Sequence, residues 1–544
     1  MPHLYNDALD DQLAYDASMS FVGGQVSNVR SNLLAPEQYA EGVNIDVTRF
    51  GSVQTRRGTD LQLGPVTDPD EPTWENISTD WDAYSTNPWE WGSTTVQGVG
   101  YYDKPGTEEM VCIGWGTFLK NSGSAWSEVT GYAPNATANV EFAQLVDKVY
   151  MTDEANGNVH SYNGTAITDE GNTSTDPPRC KFLVTHTNRL FAAGLTVADS
   201  LACSDILDGG TWDATNDVIR IGGDSGDPIT GLAPWYDWNI LVFKERSIYT
   251  VNADPTETAA SSWTIHNIDR NIGCVSHRSI AQVGSDVFFL APDGIRTVKT
   301  ILQGAQTAVS EPISVGIQDV IDTINWTQAV QQASAVFWNN HYILSVPTSS
   351  STTNNTLIVY NTITKSFMGT WTGWAATDFA ISAFGGDTRL NIADTTKVTT
   401  WLDYVAESSE SDSTYQDDGA DYSSSVSTRA YTFGNPLNEL QPNHVEFEWK
   451  PGRADSVEVR TMLDSGLEAI IHPSTVDTKT TGVTLPVDLP FTLGRVTPIQ
   501  KSYNLMPQGP CREIQFKVVA ADNKMDLRAV RTSSYVSTME LENV

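Results

Sequence analysis

Asp286-Val-Phe-Phe-Leu-Ala-Pro-Asp-Gly-Ile-Arg-Thr-Val298 places two short apolar runs on either side of a Pro-Asp-Gly step. Pro presets one turn dihedral and Gly accepts a positive one, so the stretch predicts two antiparallel strands joined by a tight turn. The same arrangement recurs along the chain. It appears at Met110–Leu119, Asp147–Tyr162, Asn188–Gly194 and Asn239–Val251. Further on it appears at Asn340–Val346 with Thr356–Asn361, and at Thr388–Ala393 with Lys397–Trp401. Successive units begin roughly 40 to 55 residues apart, the spacing of a four-stranded module that cannot bury both faces alone.

The chain is therefore expected to be all-β: a β-propeller of about seven degenerate blades over residues 95–405, followed by an antiparallel β-sandwich over 429–544. The second domain rests on cleaner period-two alternation in Val445-Glu-Phe-Glu-Trp449, Val457–Met462, Glu513–Val519 and Met525–Val530. Strands of that kind keep one face wet. Between the domains, residues 406–428 are acidic and Ser-rich and read as a linker or an exposed hairpin. Residues 1–94 read as an N-terminal extended or strand segment that contacts neighbours. Helical periodicity is scarce. Ser310–Ile324 sets Ile313, Ile317, Val320, Ile321 and Ile324 on one face and predicts a helix. Pro36–Glu41 predicts a single helical turn.

Charge narrows the function. The chain has 544 residues, with 32 Lys plus Arg against 67 Asp plus Glu, a formal charge of −35. Binding to a phosphate backbone needs clustered cations, so bulk electrostatics works against it, and against an anionic membrane surface. The charge suits solubility, and equally a surface past which DNA slides without sticking. No apolar run approaches the length of about 18 residues that spans a bilayer. The acidic N-terminus has no apolar core of a signal peptide. Cys112, Cys180, Cys203, Cys274 and Cys511 are odd in number, far apart and free of any paired Cys-x-x-Cys, so buried thiols are expected rather than disulfides or zinc. Asn135-Ala-Thr and Asn163-Gly-Thr read as turns.

More specific residues stand near the N-terminus: Phe21-Val-Gly-Gly24, Leu33-Leu-Ala-Pro-Glu-Gln-Tyr39, Gly42-Val-Asn44, Gly51 and Arg56-Arg-Gly58. In this order they resemble the opening of nozzle, hub and stopper-type propeller proteins from the tails of short-tailed phages. Two later stretches extend the resemblance. One is Leu201–Trp212 with Pro228–Trp235 and Leu241–Tyr249; the other is Tyr415–Thr428. The resemblance implies a virion structural protein assembled in the host cytoplasm, with no catalytic activity. It implies a homo-oligomeric ring of about six subunits, placed next to adaptor or portal and tail fibre proteins. It also implies a central channel through which DNA passes transiently without specific binding.

Asp208-Gly-Gly-Thr-Trp212 ends like the sialidase Asp-box, but Asp205 and Leu207 stand where that box needs Ser and Asp, so a turn is expected. The alternative function is a carbohydrate-binding or glycoside-hydrolysing propeller, whose paired carboxylates would be set by space rather than by sequence. Glu245, between Lys244 and Arg246, reads as a salt-bridged surface acid. His186 and His277 have no metal-ligand spacing, and Asp208, Asp213 and Asp217 lack the ladder of a calcium loop. Trp235, Tyr236 and Trp238 read as packing rather than as a sugar platform. No catalytic, metal or cofactor residue is assigned. Arg56 and Arg57 stand out because cations are scarce. They read either as inter-subunit contacts to a neighbour's carboxylate or as a strand-end surface pair.

Overall fold

The computed structural model describes residues 12–63 and 96–537, apart from 115, 123–125, 136–137, 156, 224–225, 258, 302–305, 384–386, 435–438, 451–456, 465, 467–468, 477–498, 506–509 and 523. The chain is mostly β, with 53% of residues in strands and 8% in helices, as its patterning requires.

Six consecutive antiparallel meanders of four strands run from Val96 to Trp371, the third carrying an extra strand, Val218–Arg220. Their first strands are Val96–Lys104, Val140–Leu145, Phe182–His186, Ile229–Pro234, Ala281–Val283 and Ser334–Trp338. A seventh sheet begins at Asp378–Ser382 and continues through Arg389–Ala393 and Val398–Trp401. Its fourth strand comes from far upstream: Thr59–Leu63 pairs antiparallel with Val398–Trp401. Each first strand touches the first strand of the next sheet, and that of the seventh touches that of the first. The contact order is cyclic.

Six of the seven repeated units found in the sequence supply the second and third strands of one of these sheets, and Asn188–Gly194 supplies the second strand of the third sheet. The reason is burial. Lys148–Asp153, Asn239–Lys244 and Asp286–Ala291 are buried at every residue after the first, and His341–Val346 at all six. A sheet packed between two neighbours has no wet face, so its middle strands read as unbroken apolar runs.

Two further sheets face each other. One joins Gln12–Ser18, Ile45–Val47, Val53–Thr55, Glu439–Trp449, Ile499–Asn504 and Asp526–Ser537. The other joins Gln38–Val43, Ser424–Thr428, Val457–Leu463, Ala469–Val476 and Ile514–Ala520, and continues into the sixth sheet through Val43 and Thr370. Phe447 of the first meets Phe516 of the second edge to face, ring centres 5.8 Å apart. Their core runs without a break into Trp371, Trp374 and Trp401 at the ends of the sixth and seventh sheets.

Residues 12–63 of the expected N-terminal strand segment 1–94 form strands in both facing sheets and in the seventh sheet; residues 1–11 and 64–94 lie outside the described residues. Two other expectations differ from the structure. The turn expected at Pro36–Glu41 is mostly strand, Gln38–Val43, because Tyr39 is fully buried and its hydroxyl donates to the Met368 carbonyl at 2.9 Å. The helix expected at Ser310–Ile324 is broken into a 3-10 turn, Ile313–Ile317, and a short helix, Gln318–Ile321, with a second helix at Trp326–Gln332. Gly316 weakens the middle of that run. Ile317, Ile321 and Ile324 are nonetheless buried together, so the apolar face was correctly read. The 406–428 stretch holds a small hairpin, Gln416–Asp417 with Ala420–Asp421, beside a fully buried Tyr415.

Candidate functional site

The N-terminal motif residues converge on one place, the seam between the facing sheets, the ends of the sixth and seventh sheets, and the 416–421 hairpin. Arg56 lies at its centre with 1% of its surface exposed. All five of its N–H groups are used. Nε donates to Asn44 Oδ1 at 3.1 Å, and Nη1 to the Arg57 carbonyl at 3.1 Å and Asp417 Oδ1 at 2.9 Å. Nη2 donates to the Thr372 carbonyl at 2.8 Å and Asp417 Oδ2 at 2.5 Å. Its flat face lies 3.9 Å from the Tyr422 ring centre and 4.5 Å from that of Trp374. A buried guanidinium is tolerable only when its fork is filled in this way.

The neighbouring glycines allow this approach. A Cβ on Gly58 would come within 1.8 Å of the Gln416 carbonyl oxygen, and Gly24 holds φ +71° beside the Phe367 carbonyl. Arg57 turns the other way. Nη1 donates to the Asp403 and Val405 carbonyls at 2.6 and 2.5 Å, and Nη2 to Glu410 Oε1 at 2.8 Å. Lys524 Nζ reaches the other oxygen of Glu410 at 2.9 Å. Burial works to raise the Glu410 carboxyl, yet Lys524 and Arg57 hold it below its ordinary value. Arg56 and Arg57 thus meet carboxylates of their own chain rather than a neighbour's, and Arg56 is no surface residue. Sequence reading recognised them as unusual but could not supply Asp417 and Glu410, which lie in the stretch read as linker.

Arg57, Glu410 and Lys524 also form one wall of an open cleft of about 670 Å³. The outer lining includes Met19, Arg49, Phe50 and Arg528.

A second polar cluster occupies the space enclosed by the first strands of the cyclic sheets. This pocket, of about 400 Å³, is lined by Glu141, Gln144, Thr185, His277, Arg278 and Asp378 among others. Arg278 precedes the fifth sheet but reaches the first, second and seventh. Nε donates to Glu141 Oε1 at 2.6 Å, and Nη2 to the Val140 carbonyl at 2.8 Å and the Gln97 carbonyl at 3.4 Å. Nη2 lies 4.0 Å from Asp378 Oδ2. The acids divide by their distance from this cation. Burial opposes ionisation of Glu141, but Arg278 holds its carboxyl below its ordinary value. Burial pushes Asp378 up to about 6 and the partly buried Glu154 up to about 7, against Arg278. Burial lowers the His277 imidazole, and its Nδ1 accepts from the Leu232 N–H at 3.3 Å. Sequence reasoning missed Arg278, Glu141 and Asp378, because 137 residues separate Arg278 from Glu141 and 100 separate it from Asp378, and no local motif joins them.

The remaining candidates stand apart. Asp208 accepts from the Gly210 N–H and the Thr211 hydroxyl, and Asp213 from the Thr215 and Asn216 N–H groups, as ordinary side-chain-capped turns. Glu245 is exposed. Trp235 is buried against Tyr236, ring centres 5.7 Å apart, while Trp238 is 44% exposed. All five cysteines are buried free thiols. Among the described residues, no group of three or more His, Cys, Asp or Glu side chains is placed to hold a metal ion. No helix among them is long and apolar enough to cross a membrane. The fold and the two clusters define a mostly-β scaffold with a clamped seam and an arginine-capped central pocket. No protein-family model matches the chain, and no curated protein matches it in sequence.

Proposed function

We propose that the chain is a structural subunit of a phage tail: a seven-bladed β-propeller, closed by its own N-terminal strand and fused to a β-sandwich, working as one copy of a nozzle or hub ring. The observation that carries the reading is the seam. The residues by which the sequence resembles tail propeller proteins, Phe21, Gly24, Tyr39, Asn44, Arg56 and Gly58 among them, are the ones that join the N-terminal segment to both domains. A segment that acts as a mechanical joint suits a part that carries load during assembly.

The mechanism is mechanical and electrostatic. A four-stranded blade hides its faces by stacking, and cyclic stacking leaves only short edges. Thr59–Leu63 ties the last blade to the N-terminal segment, so the circle opens only if the seam opens too. The central pocket of each subunit, capped by Arg278, is far too small for a DNA duplex. The genome channel of the ring therefore runs between subunits, and a surface of net charge −35 keeps phosphates from adhering to it.

The alternative, a carbohydrate-binding or glycoside-hydrolysing propeller, would place its sugar in the central pocket beside Glu141 and Asp378. Both readings meet in one experiment. Particles purified from cultures expressing the gene are analysed by mass spectrometry, and the free protein is screened on glycan arrays. The tail reading expects the chain in particles at a fixed multiple of the other tail proteins. A chain absent from particles, with glycan binding in solution, would overturn it.

A further inference from the structure

The chain carries two exposed surfaces of complementary chemistry. The first is the mouth of the seam cleft. Phe50 is 81% exposed and Met19 58%, with the Arg49 guanidinium 4.8 Å from the Phe50 ring centre. Deeper cations of the cleft are engaged within the chain: Arg57 and Lys524 with Glu410, Lys450 with Glu407. Arg49 and Arg528 have no ion pair among the described residues, in a protein where acids outnumber cations two to one. Asp526 Oδ1 is buried in the cleft lining without a hydrogen-bond partner.

The second surface is built from turns at one end of the second, third and fourth sheets. Val146 and Leu207 stand there 57% and 59% exposed, beside Tyr236 and Trp238. Exposed acids Asp147, Asp205, Asp208 and Asp237 alternate with them, and only Asp147 has an ion pair, to Lys104. The turns touch one another: the Thr185 hydroxyl donates to the Gln144 carbonyl at 2.7 Å, and the Leu207 N–H to the Asn188 carbonyl at 2.7 Å. The backbone is unusual. Val146 has φ +56° and Leu207 φ +62°. A β-branched or bulky side chain in that region costs energy that Asn, Asp or Gly would avoid. Exposed, apolar and strained residues at two successive turns gain nothing for the isolated subunit.

In the cyclic order of seven sheets, the third is three steps from both the sixth and the seventh, which carry the seam. The acidic-apolar turns of the second to fourth sheets and the cleft at the seam, with Arg49 and Arg528 free of ion pairs at its lining among the described residues, thus belong to separate elements of the fold. We infer that they are the two halves of a head-to-tail contact between copies of this chain. The turns of one copy enter the cleft of the next, placing Asp205, Asp208 and Asp237 near Arg49 and Arg528, and Val146 and Leu207 against Phe50 and Met19. Contacts of this type propagate and close into a ring when the rotation permits. The inference rests on the ring reading and names its interface.

Two double variants test it by sedimentation velocity of the full chain. Arg49→Glu with Arg528→Glu disables the cleft. Val146→Asp with Leu207→Asn disables the turns, and relieves their backbone strain, so its thermal midpoint should not fall. Each variant alone should associate roughly tenfold or more weakly than the unaltered chain, which itself dissociates as salt rises. A mixture of the two, sharing one intact contact, should form one-to-one pairs and nothing larger. Variants that assemble like the unaltered chain would overturn the contact and leave the ring reading standing. So would variants that fail to pair when mixed although the unaltered chain forms rings. An unaltered chain that stays monomeric to about 100 µM would overturn the contact as well, while particle composition still decides the ring reading.

Discussion

Arg56 and Asp417 are 361 residues apart in sequence and meet through two parallel hydrogen bonds, Nη1–Oδ1 at 2.9 Å and Nη2–Oδ2 at 2.5 Å. Removing the cation takes a donor from Asp417 Oδ2 and the Thr372 carbonyl, while Asn44 Oδ1 keeps the Thr372 N–H and Asp417 Oδ1 keeps the Trp374 indole N–H. Arg56→Ala should destabilise the fold by about 3–5 kcal/mol. Arg56→Lys should recover only part of this, because an ammonium cannot fill a planar fork. Thermal unfolding checks the order, and limited proteolysis should show the 405–428 stretch cut first. Equal midpoints for Lys and Arg at this position would contradict the geometry.

Gly58→Ala should act on the same joint from the other side. Its new methyl meets the Gln416 carbonyl at 1.8 Å, whereas Gly114, with open space around its Cβ position, serves as the control. Overpacking of this kind costs about 1–3 kcal/mol. The measurable outcome is a lower midpoint for Gly58→Ala and little change for Gly114→Ala.

The central pocket makes stability depend on pH. Glu154 and Asp378 have folded values of about 7 and about 6, above their ordinary ones. The folded state therefore holds more protons than the unfolded state between those limits, and their contribution weakens as pH rises through 6 and 7. His186 and His277, lowered by burial, act in the opposite direction below 6.5. Comparison with a variant separates the two. Glu154→Gln should be more stable than the unaltered chain at pH 7.5 and lose that advantage near pH 5. An advantage independent of pH would contradict the assignment.

Arg278→Met removes the cap from the pocket and leaves Glu141 and Asp378 buried without their cation, at a cost of about 3–5 kcal/mol. Adding Glu141→Gln should recover part of the loss. With Glu141→Gln alone completing the double-mutant cycle, the departure from additivity is the coupling energy of the pair.

The thiols offer a check on core integrity. Burial pushes Cys180, Cys203 and Cys511 up to about 12 and Cys274 up to about 11. Thiolates are the reactive form, so the native protein should resist a disulfide reagent and release all five thiols on denaturation. Rapid labelling of a native cysteine would show a locally open sheet.

Much of the fold was legible in the sequence, for a reason visible in the burial pattern. Strands such as Asp286–Ala291 are buried on both faces and announce themselves as apolar runs, and strands such as Ile514–Ala520 alternate because one face is wet. First and fourth strands were harder to read: Ile167–Asp169 and Trp126–Glu128 contain no buried residue. The closing strand Thr59–Leu63 was invisible, since pairing across more than 330 residues leaves no local trace. The site was legible only in half. Scarcity of cations marked Arg56 and Arg57, but their partners Asp417 and Glu410 are ordinary members of an acidic run. Arg278 owes its role to three sheets meeting around it, which no local pattern encodes.

Single-particle electron microscopy of the purified full-length chain tests the central claim most directly. The expected image is a closed ring of several copies around an opening that lies between subunits, with the Arg49–Arg528 cleft of each copy covered by the Val146 and Leu207 turns of the next. Isolated subunits at every concentration, or rings in which these two surfaces face solvent, would contradict it.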